Sequence, residues 1–362
     1  MNKRNTLRLL STLCFICSFV VSYAQQDPYY SHFKFIKQSY NPAAAGEKDE
    51  YYCVNGLFHK QWLNYDDYTK IRGTDNKNPN PQDVIQDVAP TTYAFNFGTQ
   101  IAWKEGRNSI GVGLAMTDDK VIFLKTTGIR LQLAYHFRMP SLGAMLAVGP
   151  EIGMTQFGYV SPDFKSLDQN DPYIPVTGGA EMKPDLGIGA YYRQDRLGSS
   201  NLQKFYAGFS ARHLNAPKYQ LSLMMQSGTS SLLKHTMALQ YYLVAGLDDW
   251  YLNPAWSLEP AVLVKQVFAN ASSRPQIDVN ATALYSKTIR GGVGYRQWGN
   301  ADAITIMLGY VWKQLQVGYS YDITMSKIKD ASNNTHEVFL SYCFQPPTIK
   351  KTVEYKKNVR HN

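Results

Sequence analysis

The sequence predicts an all-β protein: a transmembrane antiparallel outer-membrane β-barrel of about 14 strands with an N-terminal plug-like segment. Three observations predict it. Apolar and polar residues alternate with a period of two through most of the chain, the pattern of strands with one apolar and one polar face. Aromatic residues make up 13% of the 362 residues and charged ones only 18%, which argues against a disordered chain. No run of 18 apolar residues occurs, so no segment can cross a bilayer as a helix. The connections between alternating stretches are in turn long and short, as in barrels with tight turns on one side of the membrane and extended loops on the other.

In chain order, residues 1–24 read as a secretory signal. Lys3, Arg4 and Arg8 precede the apolar stretch Leu9 to Val21, and Ser22-Tyr23-Ala24 offers a small-x-small cleavage site before Gln25. Leu13 before Cys14 and Ile16 before Cys17 argue against a lipid anchor. Residues 25–48 mix aromatics (Tyr29, Tyr30, Phe33, Phe35, Tyr40) with turn formers: Asn41-Pro42 biases the chain toward a turn, and Gly46 permits a sharp exit. Aromatics at this density are costly to leave in water together, so the segment is expected in or against the periplasmic mouth of the barrel.

Residues 49–345 carry the strands, starting near 51, 92, 109, 128, 142, 185, 204, 234, 255, 275, 288, 302, 315 and 335. Ile129, Leu131, Leu133, Tyr135 and Phe137 suit lipid, and the interleaved Arg130, Gln132, Ala134, His136 and Arg138 suit a lumen. An even strand count suits closure, and the long-short order puts both termini in the periplasm. The long side is dominated by loops 63–91, 155–184 and 213–233, expected to carry a recognition surface. Residues 346–362 form a basic tail with Lys350, Lys351, Lys356, Lys357 and Arg360. The formal net charge of +9 falls to +6 without the signal, and that tail supplies +4 of it, so the basic balance is no argument for nucleic-acid binding.

Barrel closure makes a geometric test of the two cysteines left after signal cleavage. Cys53 lies near the start of the first strand and Cys343 near the end of the last, both facing inward at the same end, so the two are expected close together, near enough for a disulfide if register allows, with two separate buried thiols as the alternative. Other chemistry finds no support. The seven His show no H-E-x-x-H and no i, i+4 pair, so no metal site is expected. Gly291-Gly292-Val293-Gly294 lies inside a strand with no helix after it, and the adjacent carboxylates Asp66-Asp67, Asp118-Asp119 and Asp248-Asp249 point apart in a strand. No catalytic residue, cofactor or enzyme activity is expected. A secreted pair of β-sandwiches and a passive porin remain the rival readings, the second calling for an open, charged constriction.

Gln25-Gln26-Asp27-Pro28-Tyr29-Tyr30-Ser31-His32-Phe33 and Tyr40-Asn41-Pro42-Ala43-Ala44-Ala45-Gly46 resemble the N-terminal motif of the PorP/SprF family of type IX secretion membrane proteins. The resemblance continues through Lys60-Gln61-Trp62, Asp118, Phe205 to Pro217, Tyr321-Asp322-Ile323-Thr324 and His336 to Tyr342. Lys60 stands where the family more often has Arg. The resemblance implies an outer-membrane barrel of type IX secretion, often of gliding motility, in bacteria of the Bacteroidetes kind. Some members are core components tied to periplasmic ring lipoproteins and a peptidoglycan-binding partner. Others are accessory barrels that bind one secreted adhesin through its C-terminal secretion domain, the use favoured here. The partner-binding candidates are Asp27, Pro28, Tyr29, Tyr30, Phe33, Asn41, Pro42, Gly46, Trp62, Asp118, His213, Asn215, Pro217 and Asp322.

Overall fold

A computed structural model describes residues 27–49, 51–63, 89–103, 108–160, 172–173, 175–195, 197, 201–268, 274–297, 302–325 and 334–345. The expected signal, the basic tail, most of loop 63–91 and residues 161–171 lie outside the described residues, and the two ends of the expected loop 155–184 are strand. The N-terminal segment forms three single-turn 3-10 helices, Phe33–Phe35, Lys37–Ser39 and Pro42–Ala44. The strands are β1 (Tyr52–Lys60), β2 (Thr91–Trp103), β3 (Asn108–Val121), β4 (Leu124–Met139), β5 (Ala144–Tyr159), β6 (Gly179–Gln194), β7 (Leu202–Arg212), β8 (Lys218–Met224), β9 (Ser230–Thr236), β10 (Gln240–Asn253), β11 (Trp256–Val267), β12 (Gln276–Tyr285), β13 (Ile289–Gln297), β14 (Ala303–Trp312), β15 (Leu315–Thr324) and β16 (Thr335–Phe344).

Fourteen of these close into one antiparallel barrel in chain order, with β7 paired to β10 and β1 to β16. β8 and β9 stand apart as a hairpin. At the seam Cys53 pairs directly with Cys343, and their sulfurs are bonded across a Cα–Cα distance of 4.1 Å. This is the close spacing of directly opposed residues in an antiparallel pair.

The faces are inverted relative to a soluble protein. Leu131 is 60% exposed and Gln132 1%. Ile152, Val293 and Leu308 face outward, while Arg130, Glu151, Arg296 and Glu337 are buried inside. Such a surface is stable only where lipid replaces water. Tyr135, Phe137, Trp250, Trp256, Tyr285, Tyr310, Trp312, Tyr342 and Phe344 stand exposed toward one end, that of the β1–β16 termini, as an interfacial belt.

Three expectations need correction. β3 and β4 run on to leave two residues between them, because Asp118 pairs with Thr127 and Asp119 with Thr126, extending the ladder through what read as a loop. The strand expected from residue 234 begins at Gln240, and residues 213–233 are no plain loop: Tyr219, Leu221 and Leu223 alternate with Gln220 and Ser222, forming β8. The N-terminal segment is not confined to the mouth where β1 begins. It runs the length of the lumen, with Asp27 level with the opposite strand ends at Arg212, Lys265 and Gln276, and Gly46 to Asp49 at the β1 end. Asp27 therefore lies at the other end of the barrel from Phe344.

A lumen this wide cannot be filled by strand side chains alone. The N-terminal segment fills it: Tyr30, Phe33, Ile36, Tyr40 and Ala43 pack with inward Leu57, Met145, Tyr191, Tyr206, Tyr242, Leu263 and Phe339. The close approach needs glycine in the wall. A Cβ at Gly111 would lie 2.0 Å from the Ala45 carbonyl oxygen, and one at Gly189 2.1 Å from Asn41 Oδ1.

Candidate functional site

Aromatic and apolar side chains give the lumen segment its volume, and buried charge gives it its register. Asn41 caps the third 3-10 turn by accepting from the Ala43 N–H and donates to the Ala190 carbonyl at 3.0 Å, while Pro42 takes the first helical position. Gly46 has φ +66°, and a Cβ there would meet the Thr99 carbonyl, so the exit to β1 requires glycine.

Three charge clusters hold the segment. At the end far from the strand termini, the Asp27 carboxylate accepts from Arg212 Nη1 at 2.6 Å and the Tyr242 hydroxyl at 2.8 Å, and meets His213 Nε2 at 3.3 Å. Lys265 donates to the Asp27 carbonyl. Burial alone would raise the Asp27 pKa, but the Arg212 and His213 charges outweigh it and hold the carboxyl well below the usual carboxylate range. His213 in turn bonds Asp185 at 3.0 Å, and Arg212 bonds Glu151 at 3.0 Å.

Across the lumen, the Ser31 hydroxyl donates to Asp322 at 2.7 Å, and Arg296 joins Asp322 at 2.9 Å to Asp278 at 2.6 Å. Glu337 accepts the backbone N–H groups of Ser31 and His32 at 2.9 and 2.7 Å, and bonds the rings of His32 and His59 at 2.7 and 2.9 Å. The Tyr29 ring lies 3.8 Å from the Arg296 guanidinium and edge-on to His59. Toward the strand-terminus end, Lys34 bridges Glu259 and Asp248 at 2.8 and 2.6 Å, and Lys37 bonds Glu47 at 2.9 Å. Burial would raise the Glu47 pKa, but Lys37 lowers it below the ordinary value. Buried ion pairs of this kind contribute little net stability, yet breaking one is costly, so they specify a single seating.

Of the sequence candidates, Asp27, Pro28, Tyr29, Tyr30, Phe33, Asn41, Pro42 and Gly46 lie in this segment, and His213 and Asp322 meet it. Four others stand apart at the rim. Asp118 accepts from Thr127 and pairs with Lys125 at 3.2 Å. The Trp62 N–H donates to Thr335. Where β6 outruns β7, the Asn215 amide takes the place of a strand, donating to the Pro184 carbonyl and accepting from the Leu186 N–H. Buried Pro217 accepts from Met237. Sequence reasoning missed Glu337, His59, Asp278, Lys265, Lys34 and Lys37 as anchors. Their one signal was a charge at an inward position of an alternating strand or beside buried aromatics.

A narrow cleft remains at the far end, lined by Asp27, Tyr30, Asp119, Arg130, Arg212 and Lys265. Among the described residues no group of three His, Cys, Asp or Glu could hold a metal ion.

A family model for the type IX secretion system membrane protein PorP/SprF matches residues 22–342. The chain belongs to the PorP/SprF family. A comparison with curated protein sequences finds no match. Solved barrels share the architecture distantly. The translocator domain of the autotransporter NalP from Neisseria meningitidis is 12% identical, covering 87% of this chain and 96% of that one with a TM-score of 0.45. The P. putida toluene transporter TodX is 11% identical, covering 84% and 92% with a TM-score of 0.43. A mutant Rh. blastica porin is 10% identical, covering 81% and 99% with a TM-score of 0.30. This PorP/SprF chain is a membrane β-barrel of the type IX secretion system, and it differs from an open barrel in the anchored segment within its lumen.

Proposed function

We propose that the protein is an accessory, non-conducting outer-membrane barrel that binds and anchors a cognate secreted adhesin through the adhesin's C-terminal domain. The observation that carries this reading is the lumen occupied by residues 27–49 on three sets of buried ion pairs. A barrel so filled offers no diffusion path and leaves its rims as the working surfaces. On this reading the end bearing the long connections faces the outside and the strand termini face the periplasm, in keeping with short periplasmic turns. Loops on a rigid scaffold are where binding residues concentrate.

Deleting the protein should release the adhesin into the medium or block its export, while general type IX export continues. Arrest of all type IX export would favour a core role instead. Conductance of the purified barrel in a planar bilayer should be near zero, and steady porin-like current would refute a plugged platform.

A further inference from the structure

The two halves of the seam disulfide have different surroundings. Cys53 stands opposite Gly98 in the β1–β2 ladder, which brings no side chain to its sulfur. The Cys343 sulfur has Lys48 Nζ at 3.3 Å and Ser341 Oγ at 4.0 Å. Its own N–H donates to the Gln314 carbonyl at 3.2 Å, which ties this point of β16 to the turn before β15.

Lys48 is aimed at that sulfur by the residues on either side of it. Glu47 is held by Lys37 at 2.9 Å, and Asp49 by Arg138 and Arg193 at 3.1 and 3.5 Å. Arg193 also binds the Glu47 carbonyl. The carboxylates flanking Lys48 are thus committed to other cations, and its ammonium is left beside Cys343. A formed disulfide carries no charge for an ammonium to meet. The step that forms the bond does, because the attacking cysteine must be a thiolate, and a neighbouring lysine favours that form.

We propose that Lys48 makes Cys343 the attacking thiolate in closure of the barrel seam, on a mixed disulfide between Cys53 and a periplasmic thiol oxidoreductase. Cys53, made first, gives its proton to solvent and attacks the oxidoreductase disulfide, so that one enzyme sulfur bonds Cys53 and the other leaves as a thiolate. When β16 docks, Cys343 meets the Lys48 ammonium, gives its proton to solvent and attacks the Cys53 sulfur. The Cys53–Cys343 bond forms, and the enzyme departs as its second thiolate. Two thiols of the chain have then lost two protons and two electrons, and the enzyme disulfide has become a dithiol. The oxidising periplasm supplies such an acceptor. The arrangement also reads register: a slip of β16 by one residue turns Cys343 to the lipid face, away from both Lys48 and Cys53.

The full mature chain folded in detergent tests this. With Cys53→Ser present, alkylation of Cys343 by iodoacetamide at about pH 7.5 should slow about threefold on Lys48→Met and stay native on Lys48→Arg. That factor combines a tenfold loss of thiolate with a roughly threefold gain in intrinsic nucleophilicity. At about pH 9.5, where the thiol is ionised in every variant, the deficit should disappear. Alkylation of Cys53 in Cys343→Ser should not respond to Lys48→Met. In cells, Cys343→Ser should accumulate a mixed disulfide on Cys53, trapped by acid and identified by mass spectrometry as a thiol oxidoreductase. Lys48→Glu should delay seam oxidation about tenfold after a radiolabel pulse, with heat-modifiable migration showing that the barrel folds at the native rate.

Equal alkylation of Cys343 in Lys48→Met at the lower pH overturns the inference, as does a deficit that persists at the higher pH, the mark of altered packing alone. A Cys343 that does not react in the folded chain, joined to native seam oxidation in Lys48→Glu cells, overturns it too. So does a mixed disulfide that accumulates on Cys343 in place of Cys53.

Discussion

Removing the seam disulfide should destabilise the barrel more than any other conservative change of two atoms. Cys53 and Cys343 are 290 residues apart, so their bond closes nearly the entire described chain into one loop. In the chain-entropy model a loop of this size lowers the denatured-state entropy by about 19 cal/mol/K, a ceiling of about 5.7 kcal/mol at 25 °C. Measured disulfides typically deliver about 2–4 kcal/mol, and the nine-residue β1–β16 ladder remains without the bond. Cys343→Ser should therefore cost about 2–4 kcal/mol, read as a lower urea midpoint for loss of the fast-migrating folded band in detergent or vesicles. Cys53→Ser should cost the same, and the double variant no more than either single one, since all three remove one bond. Reductant should reproduce the shift in the native protein and leave the variants unchanged. A midpoint that moves by less than about 0.5 kcal/mol in either variant, or two thiols titrating in unreduced protein, would refute the reasoning.

Gly111→Val places side-chain atoms where the Ala45 carbonyl sits, and should unseat the lumen segment, giving new protease cleavage between residues 27 and 49 and measurable conductance. Arg212→Ala leaves the Asp27 and Glu151 carboxylates buried without their guanidinium. It should cost about 3–5 kcal/mol of segment docking, seen as conductance in planar bilayers. Alanine at Tyr29, Tyr30 and Phe33 together should abolish export or retention of the adhesin while the barrel still assembles, and normal export in that variant would exclude a role for the segment. The pH response follows from Asp27 and Glu47, both held below their ordinary values. Their contribution is complete above the unfolded carboxylate pKa of about 4 and is lost as pH falls through the lower folded values. Conductance should therefore stay low from pH 8 to 5 and rise only below about pH 4, and a rise between 8 and 5 would contradict the sign.

Period-two alternation made the barrel legible. Rows such as Ile129 to Phe137 fix the lipid face, and most strand starts fall within a few residues of their positions because each row is bounded by turn formers, the exceptions being β6, which begins at Gly179, and β10, which begins at Gln240. Alternation says which way a residue points but not what it meets. Arg130, Glu151 and Arg296 occupy inward positions whose partners come from elements far apart in the chain, which no local pattern reports. The lumen segment was legible as aromatic and turn-rich, but its length of travel was not, since nothing local to Asp27 signals Arg212 185 residues away. β8 was missed because the loop expectation for 213–233 overrode the alternation of Tyr219, Leu221 and Leu223.

Glu337 stands where the lumen segment, the first strand and the last strand meet: it receives Ser31 and His32 from the first, His59 from β1, and itself belongs to β16. Its consequence is one of timing. Residues 27–49 emerge from synthesis before any strand and β16 after all others, yet β16 reaches its final register with a buried carboxylate that needs the lumen segment as its donor. A barrel that zipped shut empty would leave that carboxylate with His59 alone, so the seated segment and the register of the last strand stabilise one another.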